Sequence, residues 1–215
     1  MSNIETIVLV HGYNKNESDM FTLKANLTSM GYNCLTVKLP TKFGTLEDCT
    51  NALQIQLQKF MGMSSSQRIH LVGHSMGGLI IRNFLAQNNL PTLGRCVFIA
   101  SPNKGSRLAD IAYEIFPGIL KVYKPLNALR SNSPEIARPQ NTPSPEIGII
   151  AGNRSNLLLG KLLHKGNDGR VEVEATMLEG MQDFIVKPYG HKEIHYSQDV
   201  AELIDIFLRT GSFEE

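Results

Sequence analysis

Ser75 lies in sequence surroundings typical of an enzymatic nucleophile. It is the central residue of Gly73–Gly77, which reads Gly-His-Ser-Met-Gly and follows the mostly apolar run Ile69–Val72. This order predicts a strand, a sharp turn and a helix, with the serine hydroxyl exposed at the helix N-terminus. There the hydroxyl can attack an acyl carbon, and the backbone N–H of Met76 can hold the oxyanion that forms.

Two later residues can activate this serine. A serine hydroxyl is a poor nucleophile at neutral pH, so it needs a base within hydrogen-bond reach and an acid that orients the base. Asp168 lies in the turn-forming sequence Asn-Asp-Gly after a predicted fifth strand, and His191 follows a predicted sixth strand. This is the chain order in which nucleophile, acid and base occur when the serine lies on a strand–turn–helix unit. Because both loops follow strand carboxyl ends, we expect Asp168 and His191 at the same sheet edge as Ser75.

Other histidines and one other aspartate compete for these roles. His195 is the alternative base, although it would enter the turn before the last predicted helix. His70 lies within the strand and cannot fold back onto the serine, so we expect a structural role for it. His164 has no role that the sequence supports. Asp183 opens the sixth strand at the opposite sheet edge, which makes it a poor alternative acid.

The end of the first predicted strand supplies a second oxyanion donor. Thr6–Val10 is an apolar, β-branched run typical of a strand buried on both faces, and it stops at His-Gly-Tyr. Gly12 permits a close backbone approach, and the N–H of Tyr13 can act together with that of Met76. Gly12 is also a candidate substrate contact, as is His74, for which a structural role is the alternative. A plain strand-ending turn is the alternative interpretation of this segment.

Strands and helices alternate along the chain, which predicts an α/β fold with a parallel sheet covered by helices on both faces. Helices are predicted to begin at Ser18 or Asp19, at Thr45, after Ser75 and at Ser197. In such sheets ligands bind at the carboxyl ends of the strands. The predicted strands are residues 6–10, 33–39, 68–72, 96–100, 146–152 and 183–188.

Residues 104–145 depart from this alternation. An apolar, helix-like segment is interrupted at Pro117 and Gly118, and a loop rich in Pro, Ser and Asn follows from Ser131 to Pro145. Long loops in compact domains are often functional, so we predict a lid or an acyl-binding wall over the strand ends. An ordinary helix pair with a long surface loop is the alternative. The whole chain, residues 1–215, is predicted to be a single domain.

The composition argues against several classes of function. The 215 residues are 42% hydrophobic and 19% charged with a formal net charge of +1, so nothing indicates binding to nucleic acid or an anionic membrane. No apolar run approaches the roughly 20 residues of a membrane helix. The first residues lack a signal-peptide core, which predicts a cytoplasmic protein if the sequence is complete. The three cysteines have no paired spacing and are expected to be buried free thiols. Nothing in the composition indicates an oligomeric state.

These motifs resemble those of the α/β-hydrolase family, and in particular its lipase-like esterases, over nearly the whole chain. Val8–Tyr13 resembles the family's oxyanion strand, and Gly73–Leu79 with Arg82 resembles its nucleophile turn. Ser101–Ser106 is similar to the segment that precedes lids in bacterial lipases. Further similarities are the acid loop Asn167–Val171 and the C-terminal end from His191 through Phe207–Arg209 to Phe213.

The resemblance implies a compact, six-stranded and mostly parallel form of the α/β-hydrolase sheet, with a helical lid-like insertion. It also implies hydrolysis of carboxylic esters through an acyl-enzyme, with Ser75, Asp168 and His191 as the catalytic triad. No cofactor or metal is expected, and the expected substrate is a small-molecule or lipid ester. A thioesterase or an acyltransferase would use the same triad, and a non-catalytic binding protein on this scaffold is a further alternative.

Overall fold

Six parallel strands form the centre of the molecule. The computed structural model describes residues 4–61, 68–131, 133 and 145–214. The strands are β1 (Thr6–Val10), β2 (Asn33–Thr36), β3 (Ile69–His74), β4 (Leu93–Ile99), β5 (Ile147–Gly152) and β6 (Asp183–Lys187). Within the described residues their order in the sheet is β2-β1-β3-β4-β5-β6, and every neighbouring pair is parallel.

The connections between the strands are mainly helical. Short 3₁₀ helices lie at Glu17–Met20, Leu158–Leu162 and Ile194–Tyr196. The α-helices are α1 (Phe21–Ser29), α2 (Leu46–Met61), α3 (Met76–Gln87), α4 (Arg107–Ile115), α5 (Ile119–Val122), α6 (Pro125–Ala128), α7 (Val173–Thr176) and α8 (Gln198–Thr210).

Helices cover both faces of the sheet, and every residue of β1, β3 and β5 is therefore buried. On one face, Leu53 of α2 and Ile80 of α3 belong to a core cluster with Val8 of β1. On the other face, Leu27 of α1 and Phe207 of α8 belong to a second cluster. This three-layer packing confirms the predicted α/β-hydrolase fold with a compact six-stranded sheet, and it puts the carboxyl ends of all six strands at one edge.

The element boundaries follow the prediction closely, with one wrong helix start. β4 begins at Leu93 rather than at Cys96. The prediction that Ser18 or Asp19 caps the first helix is wrong, because the side chain of Asn16 accepts the hydrogen bond from the Ser18 N–H. The carboxamide oxygen of Asn16 thus caps the backbone N–H two residues further on, and the helix begins with a 3₁₀ turn.

The start of α2 was predicted correctly and is closed by two reciprocal hydrogen bonds. The Asp48 N–H donates to Thr45 Oγ1 over 3.0 Å, and the Thr45 N–H donates to Asp48 Oδ2 over 2.8 Å. This pair satisfies two backbone donors at the helix start, as in a capping box.

The described part of the insertion is helical. α4 and α5 are separated by a turn at Pro117 and Gly118, as predicted, and α6 follows. Arg107 Nε of α4 donates to the Leu162 carbonyl over 3.3 Å, which connects the insertion to the chain after β5. Most of the loop predicted for residues 131–145 lies outside the described residues.

The cysteines and the helix lengths agree with two further expectations. Cys34, Cys49 and Cys96 are buried free thiols, as predicted. No helix in the described ranges combines the length and the apolar character needed to cross a bilayer.

Two positions of α2 test the assignment of its buried face. Leu53 is fully buried, whereas Ile55 is 65% exposed. We expect Leu53→Ala to lower the free energy of unfolding by about 2–5 kcal/mol, because it leaves a cavity in the core. Ile55→Ala should change it by less than about 0.5 kcal/mol, as is usual for a surface position. Urea unfolding followed by circular dichroism measures both, and equal losses would contradict the assigned face.

Candidate active site

Ser75 occupies a strained backbone position between β3 and α3. Its dihedral angles are φ 55° and ψ −124°, outside the regions that residues other than glycine usually adopt. Such a conformation costs on the order of 1–3 kcal/mol and persists only where the surroundings enforce it. The Ser75 N–H donates to the Ile99 carbonyl over 2.8 Å, and the Ser75 carbonyl accepts from the Gly78 N–H over 3.1 Å. The side chain does not cap α3, so the hydroxyl is left for other partners.

Glycine is required on both sides of this turn. A Cβ atom on Gly73 would lie 2.6 Å from the backbone of Gly77 and Gly78. A Cβ atom on Gly77 would lie 2.2 Å from the Val10 carbonyl oxygen. The first residues of α3 can therefore pack against the ends of β1 and β3 only because these side chains are absent.

The structure brings Ser75, His191 and Asp168 into one chain of hydrogen bonds. His191 Nε2 lies 3.0 Å from Ser75 Oγ, and His191 Nδ1 lies 2.7 Å from Asp168 Oδ2. Asp168 is fully buried, and His191 is 3% exposed. The two loops are also joined by their backbones, since the His191 N–H donates to the Asp168 carbonyl over 2.9 Å.

The loop after β5 holds the Asp168 carboxylate in one orientation. Asp168 Oδ1 accepts from the N–H groups of Arg170 and Val171, over 2.9 and 2.7 Å. Asn167 Oδ1 accepts from the Gly169 N–H over 2.8 Å, and Gly169 has a φ of 93° that favours glycine. The predicted Asn-Asp-Gly turn thus satisfies one carboxylate oxygen internally and leaves the other for His191.

Two backbone segments border the nucleophile. Met76 is the first residue of α3, and a helix leaves its first N–H groups without an intrahelical acceptor. Gly12 passes directly beside the serine, since a Cβ atom on it would lie 3.0 Å from Ser75 Cβ and 3.5 Å from Ser75 Oγ. Tyr13 follows immediately, so its N–H group lies in the segment that borders Ser75.

His11 stabilises this segment and was not identified from the sequence. Its Nε2 accepts from the Leu39 N–H over 3.3 Å, and its Nδ1 lies 3.1 Å from the Gly12 carbonyl. Burial lowers the pKa of His11, which favours the neutral ring that can accept at Nε2 and donate at Nδ1. The signal available in the sequence was only a histidine at the end of an apolar strand.

The alternative residues lie elsewhere. His195 stacks on the ring of His74 with centroids 3.8 Å apart, and the hydrogen bond to Ser75 Oγ comes from His191. His70 contacts Glu5 and the Arg95 N–H, at 3.3 and 2.9 Å. His164 is exposed to solvent. The Asp183 carboxylate accepts a hydrogen bond from the Phe213 N–H near the C-terminus.

His74 is buried beneath His191 rather than exposed to the surface. It is 3% exposed, and its Nε2 donates to the His191 carbonyl over 3.1 Å. Burial lowers the pKa of His74 well below its usual range, with the neighbouring His195 and His191 acting in the same direction. A neutral His74 that donates from Nε2 carries its lone pair on Nδ1.

Arg82 and Asn103 hold the start of the insertion. Arg82 Nη1 donates to the backbone carbonyl and to Oδ1 of Asn103, over 3.0 and 3.2 Å. Asn103 Nδ2 donates in turn to the Thr176 carbonyl over 2.6 Å. These buried contacts connect α3 and α7 to the loop that follows β4.

Known proteins resemble this chain in both sequence and fold. The sequence matches the model of the alpha/beta hydrolase family over residues 7–188. It is 33% identical over 114 residues to triacylglycerol lipase 2 of Saccharomyces cerevisiae, a match that covers 50% of this chain and 32% of that protein. The aligned region thus spans about a third of the length of that relative.

Two solved structures have the same fold at low sequence identity. The mature lipase BlEst2 of Bacillus licheniformis has a TM-score of 0.76 at 19% identity, covering 98% of this chain and 93% of that one. Phospholipase PlaB of Legionella pneumophila has a TM-score of 0.75 at 16% identity, covering 98% of this chain and 60% of that one. The family match spans most of the sequence and the sheet topology agrees with it, so the chain belongs to the α/β-hydrolase family.

Proposed function

We propose that this protein hydrolyses carboxylic esters through an acyl-enzyme on Ser75. The observation that carries the proposal is the continuous hydrogen bonding from Ser75 Oγ through His191 to the buried carboxylate of Asp168. A serine activated in this way is the nucleophile of acyl-transfer enzymes. The strained backbone at Ser75 further supports a functional role, since such strain concentrates at active sites.

Acylation transfers one proton and exchanges one bond. His191 Nε2 accepts the proton of Ser75 Oγ while the oxygen attacks the ester carbonyl carbon. The Asp168 carboxylate holds the imidazole in place and stabilises its positive charge. The N–H groups of Tyr13 and Met76 receive the oxyanion of the tetrahedral intermediate. The intermediate then expels the alkoxide, which leaves as an alcohol with the proton from His191.

Deacylation repeats these steps with water. His191 removes a proton from a water molecule that attacks the acyl-enzyme carbonyl, and the proton returns to Ser75 Oγ as the carboxylic acid leaves. A thioester would be cleaved by the same sequence with a thiol as leaving group. An acyltransferase would admit another acceptor in place of water. A binding protein without catalysis is disfavoured, because competent residues occupy every catalytic position.

The insertion supports an acyl or lipid ester as substrate. Ile115, Phe116 and Val122 of the α4–α5 region are more than half exposed. Leu158, Leu159 and Leu162 of the 3₁₀ helix after β5 are likewise more than half exposed, and Arg107 connects the two regions. Tyr123 stacks on Phe43 with ring centroids 5.8 Å apart, which brings α5 over the loop before α2. We propose that residues 104–145 form an apolar wall or lid for the acyl group.

Ser75→Ala tests the proposed nucleophile. It should lower the kcat for a p-nitrophenyl ester by about 10⁶-fold, because no acyl-enzyme can form. A fluorophosphonate probe should label the wild-type chain at Ser75 and should not label the variant, as peptide mass spectrometry would determine. A folded wild-type chain that resists labelling, beside a known serine hydrolase that is labelled, would refute the proposal.

Substitutions at His191, Asp168 and His164 separate base, acid and bystander. His191→Ala should reduce turnover nearly as much as loss of the serine, and Asp168→Asn should reduce kcat by about 10⁴-fold because the imidazole loses its orienting charge. His164→Ala is the matched control, since this histidine is exposed. Its steady-state kinetics should equal those of the wild-type protein. If His195→Ala were more damaging than His191→Ala, the assigned base would be wrong.

The double substitution of Phe116 and Val122 by serine tests the apolar wall. Each buried methylene group of an acyl chain contributes about 0.8 kcal/mol, so we expect kcat/KM for a long-chain ester to fall by about tenfold. The kcat/KM for an acetate ester should change little, because a short chain does not reach the wall. Equal losses for both esters, or a wild-type enzyme without preference for long chains, would contradict this role of the insertion.

A further inference from the structure

A cluster of three buried side chains lies behind the proposed triad. Asp19 comes from the 3₁₀ helix before α1, His74 from the end of β3, and His195 from the 3₁₀ helix before α8. Their exposed fractions are 9%, 3% and 1%. Asp19 Oδ2 lies 3.9 Å from His74 Nδ1 and 3.3 Å from His195 Nε2, and the ligand atoms all lie within 4.8 Å of one another. Three distant segments thus bring a carboxylate and two imidazoles to one point.

The atoms that converge there lack hydrogen-bond partners among the described residues. Asp19 Oδ2, His74 Nδ1 and His195 Nε2 are all buried and unpartnered. Asp19 Oδ2 and His195 Nε2 lie within ion-pair distance of each other, at 3.3 Å, so this contact would compete with an ion for the two atoms. A buried polar atom without a partner costs about 1–3 kcal/mol, so three at one point require an explanation.

The opposite atoms of His74 and Asp19 are firmly held, whereas His195 Nδ1 also lacks a hydrogen-bond partner among the described residues. His74 Nε2 donates to the His191 carbonyl, which leaves the lone pair of Nδ1 directed at the cluster. Asp19 Oδ1 accepts from Lys15 Nζ over 2.7 Å and from the Tyr196 hydroxyl over 2.8 Å. Metal-binding histidines commonly donate their second N–H to a carbonyl, and ligating carboxylates are hydrogen-bonded through their other oxygen. The surroundings of the cluster have both features.

We propose that Asp19, His74 and His195 bind one divalent transition-metal ion, with Zn²⁺ as the best match. Two imidazole nitrogens and one carboxylate oxygen form a donor set that suits zinc, with water as the fourth ligand. Zinc ligands at about 2.0–2.2 Å lie about 3.3–3.6 Å from one another in a tetrahedron. Asp19 Oδ2 and His195 Nε2, which are 3.3 Å apart, already have this spacing, and Asp19 Oδ2 lies 3.9 Å from His74 Nδ1. The two stacked imidazole rings would tilt apart on binding, because the lone pair of each nitrogen lies in its ring plane.

Asp19 is the member of the cluster that borders a pocket. The pocket has a volume of about 470 Å³, and Lys15, Lys42 and Tyr196 also line it, whereas the two histidines do not. An ion from solvent would therefore pass Asp19 to reach the histidines. The Lys15 ammonium is 41% exposed at its side chain and pairs with the oxygen of Asp19 that faces away from the histidines. The charge of Lys15 therefore opposes the ion only from the solvent side.

The proposed ion would be structural. His74 precedes Ser75 in the chain and donates to the His191 carbonyl, so an ion on His74 Nδ1 would fix the backbone at both residues. The ion would not contact the reacting ester, and the proposal does not depend on the hydrolase activity. The alternative is a direct contact between Asp19 and His195 without any metal.

Metal binding to the full chain tests the proposal directly. After dialysis against a chelator, the protein is equilibrated with equimolar Zn²⁺, freed of unbound ion by gel filtration and analysed for zinc. We expect one zinc per chain and a raised Tm, and we expect Co²⁺ to give the visible absorption bands of a tetrahedral site. A wild-type chain that retains no zinc, shows no cobalt bands and keeps its Tm would overturn the proposal in favour of the direct contact between Asp19 and His195.

Variants locate the site. Asp19→Asn and His195→Ala should weaken zinc binding by at least 100-fold. Tyr196→Phe removes only the hydroxyl that donates to Asp19, and it should weaken zinc binding by about 10–100-fold. His164→Ala should bind zinc as the wild-type chain does. Tyr196→Phe alters a half-exposed side chain, so we expect this variant to fold. It therefore still tests the site if the two ligand variants fail to fold. Equal zinc affinity in the wild-type chain and in Asp19→Asn or Tyr196→Phe would place the ion elsewhere and overturn the assignment.

Discussion

The close approach of the β1 end to the first turn of α3 is the contact on which the rest of the site depends. Because β1 and β3 are neighbours in the sheet, their carboxyl ends lie side by side, and Gly77 sits against the Val10 carbonyl. The same approach brings Gly12 beside Ser75 and holds the serine backbone in its unusual conformation. Two glycines and two adjacent strands therefore bring the backbone of Gly12 and the first turn of α3 to the serine.

The polar side chains are arranged in layers behind that contact. Asp168 and His191 reach the serine from loops after β5 and β6, and His74 lies below His191. Asp19 and His195 form the next layer, with Lys15 and Tyr196 at the surface. His191 is thus held by Asp168 through its ring, and from beneath by the hydrogen bond that His74 donates to its carbonyl.

The fold and the position of the three candidate catalytic residues could be predicted from the sequence because their signals are local. Each of these signals predicts the structure of its own segment: the apolar runs, the glycines around Ser75 and the Asn-Asp-Gly turn. The carboxyl ends of parallel strands lie at one edge of the sheet, which brings the segments together. The choice between His191 and His195 has no such local signal. It depends on the 3₁₀ helix at Ile194–Tyr196, in which His195 is buried in the core. The cluster with Asp19 could not be predicted, because its members are far apart in sequence and no spacing pattern relates them.

Ser75 and His191 follow strands at different positions in the sheet, so the contact between them depends on the edge strand β6. Ser75 follows β3 in the middle of the sheet, where every residue is buried, whereas His191 follows the edge strand β6, where none is fully buried. Edge elements open locally with less free energy than central ones. We therefore expect serine and histidine to belong to regions of different local stability, and their contact to be lost when the outermost strand opens. Such an opening would separate the two residues while the central strands stay folded.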